Sequence, residues 1–116
     1  MNTILHITRR LDWETAVANP PYHADSLETE GFIHCSTLAQ VLGPANDFYR
    51  GQAGLILLVI DADKTTPKIV YEDCYESGQQ FPHIYGPLNV DAVIQVVDFP
   101  PNEDGSFSLP AALMAQ

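Results

Sequence analysis

The sequence predicts a small α+β domain, and three observations carry that prediction. The chain has 116 residues with a hydrophobic fraction of 46%, enough for one core and one domain. Leu55 to Ile60 is an unbroken apolar run of strand length, the pattern of a strand covered on both faces. Helix-like patterns fall early, between strand-like segments, and a run of strands follows, an order that favours α+β over an alternating parallel fold.

Each element has its own signal. Thr3 to Thr8 is rich in β-branched residues and reads as a strand. Asp12 is placed to cap a short helix with Trp13, Ala16 and Val17 on one face, ended by Asn19-Pro20-Pro21. Tyr22 to Glu30 has no period and reads as irregular, and Gly31 to Cys35 as a second strand. Thr37-x-x-Gln40 resembles a capping box for a second helix. Its stripe would be Leu38, Val41, Leu42, Ala45, Phe48 and Tyr49, with a kink at Gly43-Pro44 and a stop at Gly51. Leu55 to Asp61 is the expected central strand, and Asp61 and Asp63 suit the turn after it. Ile69 to Asp73, Phe81 to Tyr85 and Asp91 to Phe99 are further strands, with Tyr75 to Gln80 as a polar connection. Phe107 to Leu109 would add an edge strand before a frayed end. The expectation is one domain over residues 1–116, with two N-terminal helices and about six strands.

Charge narrows the partners. Fifteen acidic residues against five basic ones give a formal net charge of −10. Neutralising a nucleic-acid backbone needs several cations, and an anionic membrane surface would repel this chain, so neither partner is expected. A small-molecule ligand needs only one or two local cations. A monomer or small homo-oligomer is expected. Met1-Asn2-Thr3-Ile4 runs into the strand pattern without a basic segment ahead of an apolar stretch, so no secretory leader is expected and the cytoplasm is the expected location. Cys35 and Cys74 follow no metal or redox spacing and read as small buried hydrophobes.

The chemistry-bearing residues repeat one pattern: His6-x-Thr8, His34-x-Ser36 and His83-x-Tyr85. Residues two apart on a strand share a face, so each segment offers an imidazole beside a hydroxyl. If the strands are neighbours, these groups could line one concave surface suited to ribose hydroxyls, an amide or a phosphate. The ligand-binding set is then His6, Thr8, Tyr22, Ser26, His34, Ser36, His83 and Tyr85, and the catalytic set His34, Glu72 and His83. Glu72, at a strand end, is the carboxylate best placed to stabilise a sugar cation. His23 fits no pattern and reads as exposed. Three histidines could hold zinc, yet there is no His-x-x-x-His helix and no Cys-x-x-Cys, so no metal is expected. His34 and Cys35 point to opposite sides of a strand and cannot act as base and nucleophile. No Gly-x-Ser-x-Gly turn and no glycine-rich phosphate loop is present.

Gly31-Phe32-Ile33-His34-Cys35-Ser36 and Phe81-Pro82-His83-Ile84-Tyr85-Gly86-Pro87-Leu88, with His6-Ile7-Thr8 and Trp13 upstream, resemble the bacterial and plant family called domain of unknown function 952. The resemblance runs from about Ile4 to Phe99, leaving residues 100–116 as an extension. It implies a distant similarity to ADP-ribosyltransferase-like domains, small split-sheet α+β structures that hold NAD or a related nucleotide in a cleft. It also implies roles: His6 with Thr8 on a ribose, Tyr85 or else Tyr22 on nicotinamide, and Glu72 as the catalytic carboxylate. The sequence departs from that wider group in lacking a Ser-Thr-Ser motif, a Glu-x-Glu pair and the arginines of a tRNA phosphotransferase.

Three functions remain open at this level. One is a nucleotide-handling enzyme, with NAD as ligand or substrate and ribosyl transfer or hydrolysis as the reaction. Another is a binding module without chemistry. The last is a structural role, in which the histidines tie backbone segments together.

Overall fold

In the computed structural model, which describes residues 2–74 and 76–114, the strand-forming segments become six strands. They are β1 (Thr3–Arg9), β2 (Ile33–His34), β3 (Leu55–Asp61), β4 (Ile69–Glu72), β5 (Phe81–Ile84) and β6 (Val93–Asp98). Four α-helices are α1 (Arg10–Ala18), α2 (Ser26–Thr29), α3 (Leu42–Phe48) and α4 (Ala111–Met114) among the described residues. Tyr75 and the last two residues of the expected frayed end lie outside the described residues.

The strands form two antiparallel three-stranded sheets, ordered β1-β3-β6 and β2-β5-β4. Leu5 and Ser36 join them edge to edge by exchanging backbone hydrogen bonds of 2.7 and 2.8 Å. Among the described residues no other β-bridge links β1 to the second sheet, so the two sheets part on either side of that pair.

Strand alternation then sets two cores. Ile4, Ile56, Leu58 and Ile60 face one side of the first sheet and pack with Ile33, Cys35, Ile84, Leu88 and Tyr22. Leu5, Ile7, Leu57 and Val59 face the other side and pack with Val41 and Ala45, and with Phe99, Phe107 and Leu113. Every residue of β3 is buried, as its continuous apolar run predicts.

Several expectations give way to better-satisfied alternatives. α1 starts directly after β1, and Asp12 is not its cap: it sits in the first turn and pairs with Arg9 at 2.9 Å. Val17 is exposed, because the helix presents Ala16 and Trp13 to the core instead. The irregular segment contains α2, and Tyr22 within it forms a bridge with Leu88. The Gln40 half of the capping box is present, since Gln40 Oε1 accepts from the Thr37 amide at 3.1 Å. The helix proper begins later, at Leu42. Pro44 therefore lies in its first turn, where a missing N–H costs nothing, and not in the helix interior. Leu38 and Phe48 are exposed, so the stripe narrows to Val41 and Ala45 flanked by Leu42 and Tyr49. The segment after Pro101 forms no edge strand: Phe107 stacks on Phe99 at 4.7 Å and α4 follows, sealing the second core with Leu113.

Candidate functional site

His6 and Thr8 point from β1 into the inter-sheet side and are buried there. His6 Nδ1 lies 2.6 Å from the His34 carbonyl oxygen, Nε2 lies 2.8 Å from the Tyr22 hydroxyl, and that hydroxyl lies 2.9 Å from Thr8 Oγ1. A carbonyl can only accept, so Nδ1 carries the proton and Nε2 accepts from Tyr22; Thr8 then donates to Tyr22. Burial pushes His6 down to about 4, which keeps this single tautomer at neutral pH. Burial likewise pushes the Tyr22 hydroxyl up, so it stays a donor. The chain of bonds ties β1, the Tyr22 segment and β2 together.

The second sheet places a different cluster on its other face. Glu72 of β4 and His83 of β5 meet with His83 Nδ1 at 2.9 Å from Glu72 Oε1, and the Tyr85 hydroxyl donates to the same oxygen. Those two bonds, Tyr85 first, hold the Glu72 carboxyl below the usual range, and Glu72 in turn pushes Tyr85 up to about 12. Cys74 Sγ lies 3.8 Å from the same His83 nitrogen. Phe32 stacks on His83 with centroids 4.0 Å apart and meets His34 edge-on at 4.9 Å. His34 Nε2 pairs with Glu30 Oε2 at 2.5 Å, and Lys68 sits 5.6 Å over the Tyr85 ring.

Where the sheets part, a cleft of about 1210 Å³ opens. His6, Thr8, His34, Ser36 and His83 line it, as do Tyr22 and Ser26; Tyr85 and Glu72 do not. Its charged lining includes Arg9 as the one Lys or Arg side chain, with Asp12, Asp25 and Asp47 as carboxylates, and Phe48, Tyr49 and Phe81 supply aromatic surface.

The three repeated segments thus reach one cleft only in part. His6 and Thr8 are locked in buried bonds, His34 and Ser36 border the opening, and His83 spans from the cleft to the Glu72 cluster. Tyr85 serves Glu72 instead of the cleft. His23 is exposed, and Cys35 is buried with its thiol pushed up by that burial. Cys74 is exposed, which corrects the reading of both cysteines as buried hydrophobes. Sequence reasoning left Phe32, Cys74 and Glu30 out of the candidate site set. Phe32 was readable, two before His34 on the expected strand; Cys74 was not, because it lies in the turn after β4, where alternation no longer applies. Glu30 reaches His34 only because α2 forms, for which the sequence carries no period.

A small α+β domain of two three-stranded antiparallel sheets, with imidazoles lining a cleft, is the class these features define. The chain belongs to the family described as "Protein of unknown function (DUF952)", whose model matches residues 7–96. It is similar to protein CC0527 from Caulobacter crescentus. Against that protein's crystal structure the identity is 32% and the TM-score 0.84, covering 93% of this chain and 95% of that one. Its solution NMR structure gives 32% identity and a TM-score of 0.83, with both chains covered in full (100%). No curated protein matches the chain.

Proposed function

We propose that this protein binds a small, hydroxyl-rich ligand of the nucleoside or ADP-ribose type in the cleft between its sheets. The observation that carries this reading is the cleft itself: about 1210 Å³ of space bordered by imidazole and hydroxyl groups and by aromatic side chains. His34 borders the cleft with its side chain 41% accessible, as does the exposed His23, and Ser36 lines it as well. A purine or nicotinamide ring would lie against Phe48 or Phe81, and ribose hydroxyls would bond to His34 and Ser36.

Charge refines the ligand class. Arg9 is already paired with Asp12, and the other acidic groups of the wall disfavour a pyrophosphate. A nucleoside therefore fits better than intact NAD, and the similarity to ADP-ribosyltransferase-like domains supports the reading only by resemblance. Glu72 lies outside the cleft lining, with its carboxylate held by Tyr85 and His83, which favours binding without turnover. One observation favours a second reading, ribosyl transfer or hydrolysis with His34, Glu72 and His83 as the catalytic set. His83 both lines the cleft and contacts Glu72.

Calorimetry with adenosine, ADP-ribose and NAD tests the proposal. Adenosine binds most tightly, and His34→Ala weakens it by roughly fivefold or more, the worth of one hydrogen bond. Absence of heat for all three ligands at millimolar concentration contradicts the reading. Release of nicotinamide from NAD, abolished by Glu72→Gln, would favour the catalytic one.

A further inference from the structure

We propose that Glu72, Cys74 and His83 form a binding site for one divalent transition-metal ion of the zinc class. The site is independent of the ligand reading above, although His83 touches both regions.

The placement follows from the backbone. Glu72 ends β4, Cys74 follows in the turn after it, and β5 brings His83 within reach of both. One ligand atom from each of the three side chains lies within 4.8 Å of the others. The contacts to His83 Nδ1 are 2.9 Å from Glu72 Oε1 and 3.8 Å from Cys74 Sγ. A tetrahedral zinc ion with its usual bond lengths holds N, O and S ligands about 3.3–3.7 Å apart, so modest side-chain movements suffice to admit one. An imidazole, a thiolate and a carboxylate together match zinc in softness.

The alternative chemistry for these residues is a cysteine nucleophile with a histidine base and a carboxylate behind it. That relay uses opposite nitrogens of the imidazole, one for the thiol and the other for the carboxylate. Here both partners approach the same nitrogen, Nδ1. Convergence on one point serves a cation and defeats a relay. The surroundings agree. Phe32 stacks on His83 and fixes its ring plane, and Tyr85 donates to the Glu72 carboxylate, the outer bond that metal-binding carboxylates carry. Cys74 is exposed, so a fourth position is open to solvent, as in zinc sites that perform chemistry.

The test uses the full chain with zinc alone, in competition with a chelating indicator, and with cobalt replacing zinc to read thiolate-to-metal absorption. The expected result is one equivalent bound and a thiolate band. Cys74→Ser and Glu72→Gln should each weaken binding by at least about tenfold, the lower end of what even outer partners cost. Cys35→Ser, whose side chain packs in the core, should retain the band. Both metal-site variants alter accessible side chains, and an amide spectrum like that of the parent confirms that they fold. Failure to bind one equivalent, or binding that survives both substitutions unchanged, overturns the proposal.

Discussion

His6 remains neutral because it is buried, with one carbonyl and one hydroxyl as its partners, and burial disfavours an imidazolium. Its pKa falls from 6.5 to about 4 on folding, so the unfolded chain binds the extra proton first as pH drops. The contribution of His6 to stability is therefore complete above pH 6.5 and is lost as pH falls toward 4, at a slope on the order of 1 kcal/mol per pH unit. Urea denaturation across that window checks it: His6→Asn, which cannot titrate, should show a shallower fall with pH than the parent. Tyr22 is the other half of the same arrangement. Tyr22→Phe keeps the ring but leaves His6 Nε2 and the Thr8 hydroxyl without their shared partner, at a cost of about 1–3 kcal/mol read by the same denaturation. These bonds hold the β1 face to the Tyr22 segment, and His34 is paired with Glu30 at the cleft border.

At the scale of elements, two predictions test how the site is held. β5 leaves the sheet through Gly86, at φ 154°, where an added Cβ would come within 3.0 Å of the Pro67 side chain. Gly86→Ala should push β5 from the loop before β4 and disturb Tyr85, costing roughly 1–3 kcal/mol, visible as a lowered denaturation midpoint. The C-terminal segment belongs to the core, so Phe107→Ala should cost about 3–5 kcal/mol, whereas an edge segment would tolerate it. These elements also show what the sequence could reveal. β3 was legible because its apolar run leaves no solvent face, and His34 and Ser36 were correctly placed on one face by alternation. α2 and α4 are four residues each, too short for any period to register. Asp12 failed as a cap because the strand runs into the helix without a break, and Phe107 looked like a strand residue although its apolar ring is spent on Phe99. Glu72, His83 and Tyr85 met because β4 and β5 pair, a register that no local pattern encodes.

The whole molecule is two small sheets sharing one edge pair, and its cleft exists because they separate there. Among the described residues no helix is long and apolar enough to cross a membrane. The chain carries a net charge of −10, and the cleft wall has three carboxylates, Asp12, Asp25 and Asp47, beside Arg9. A nucleoside at one hundred times its dissociation constant should stabilise the fold by about 2.7 kcal/mol, measurable as a raised melting temperature. The central claim is that the split between the sheets is the binding site, and an amide NMR titration with adenosine addresses it most directly. The account predicts saturable shifts concentrated at Ser26, His34 and Ser36, with β6 and α4 unmoved. Shifts confined to β6 or α4, or none at millimolar adenosine, would contradict it.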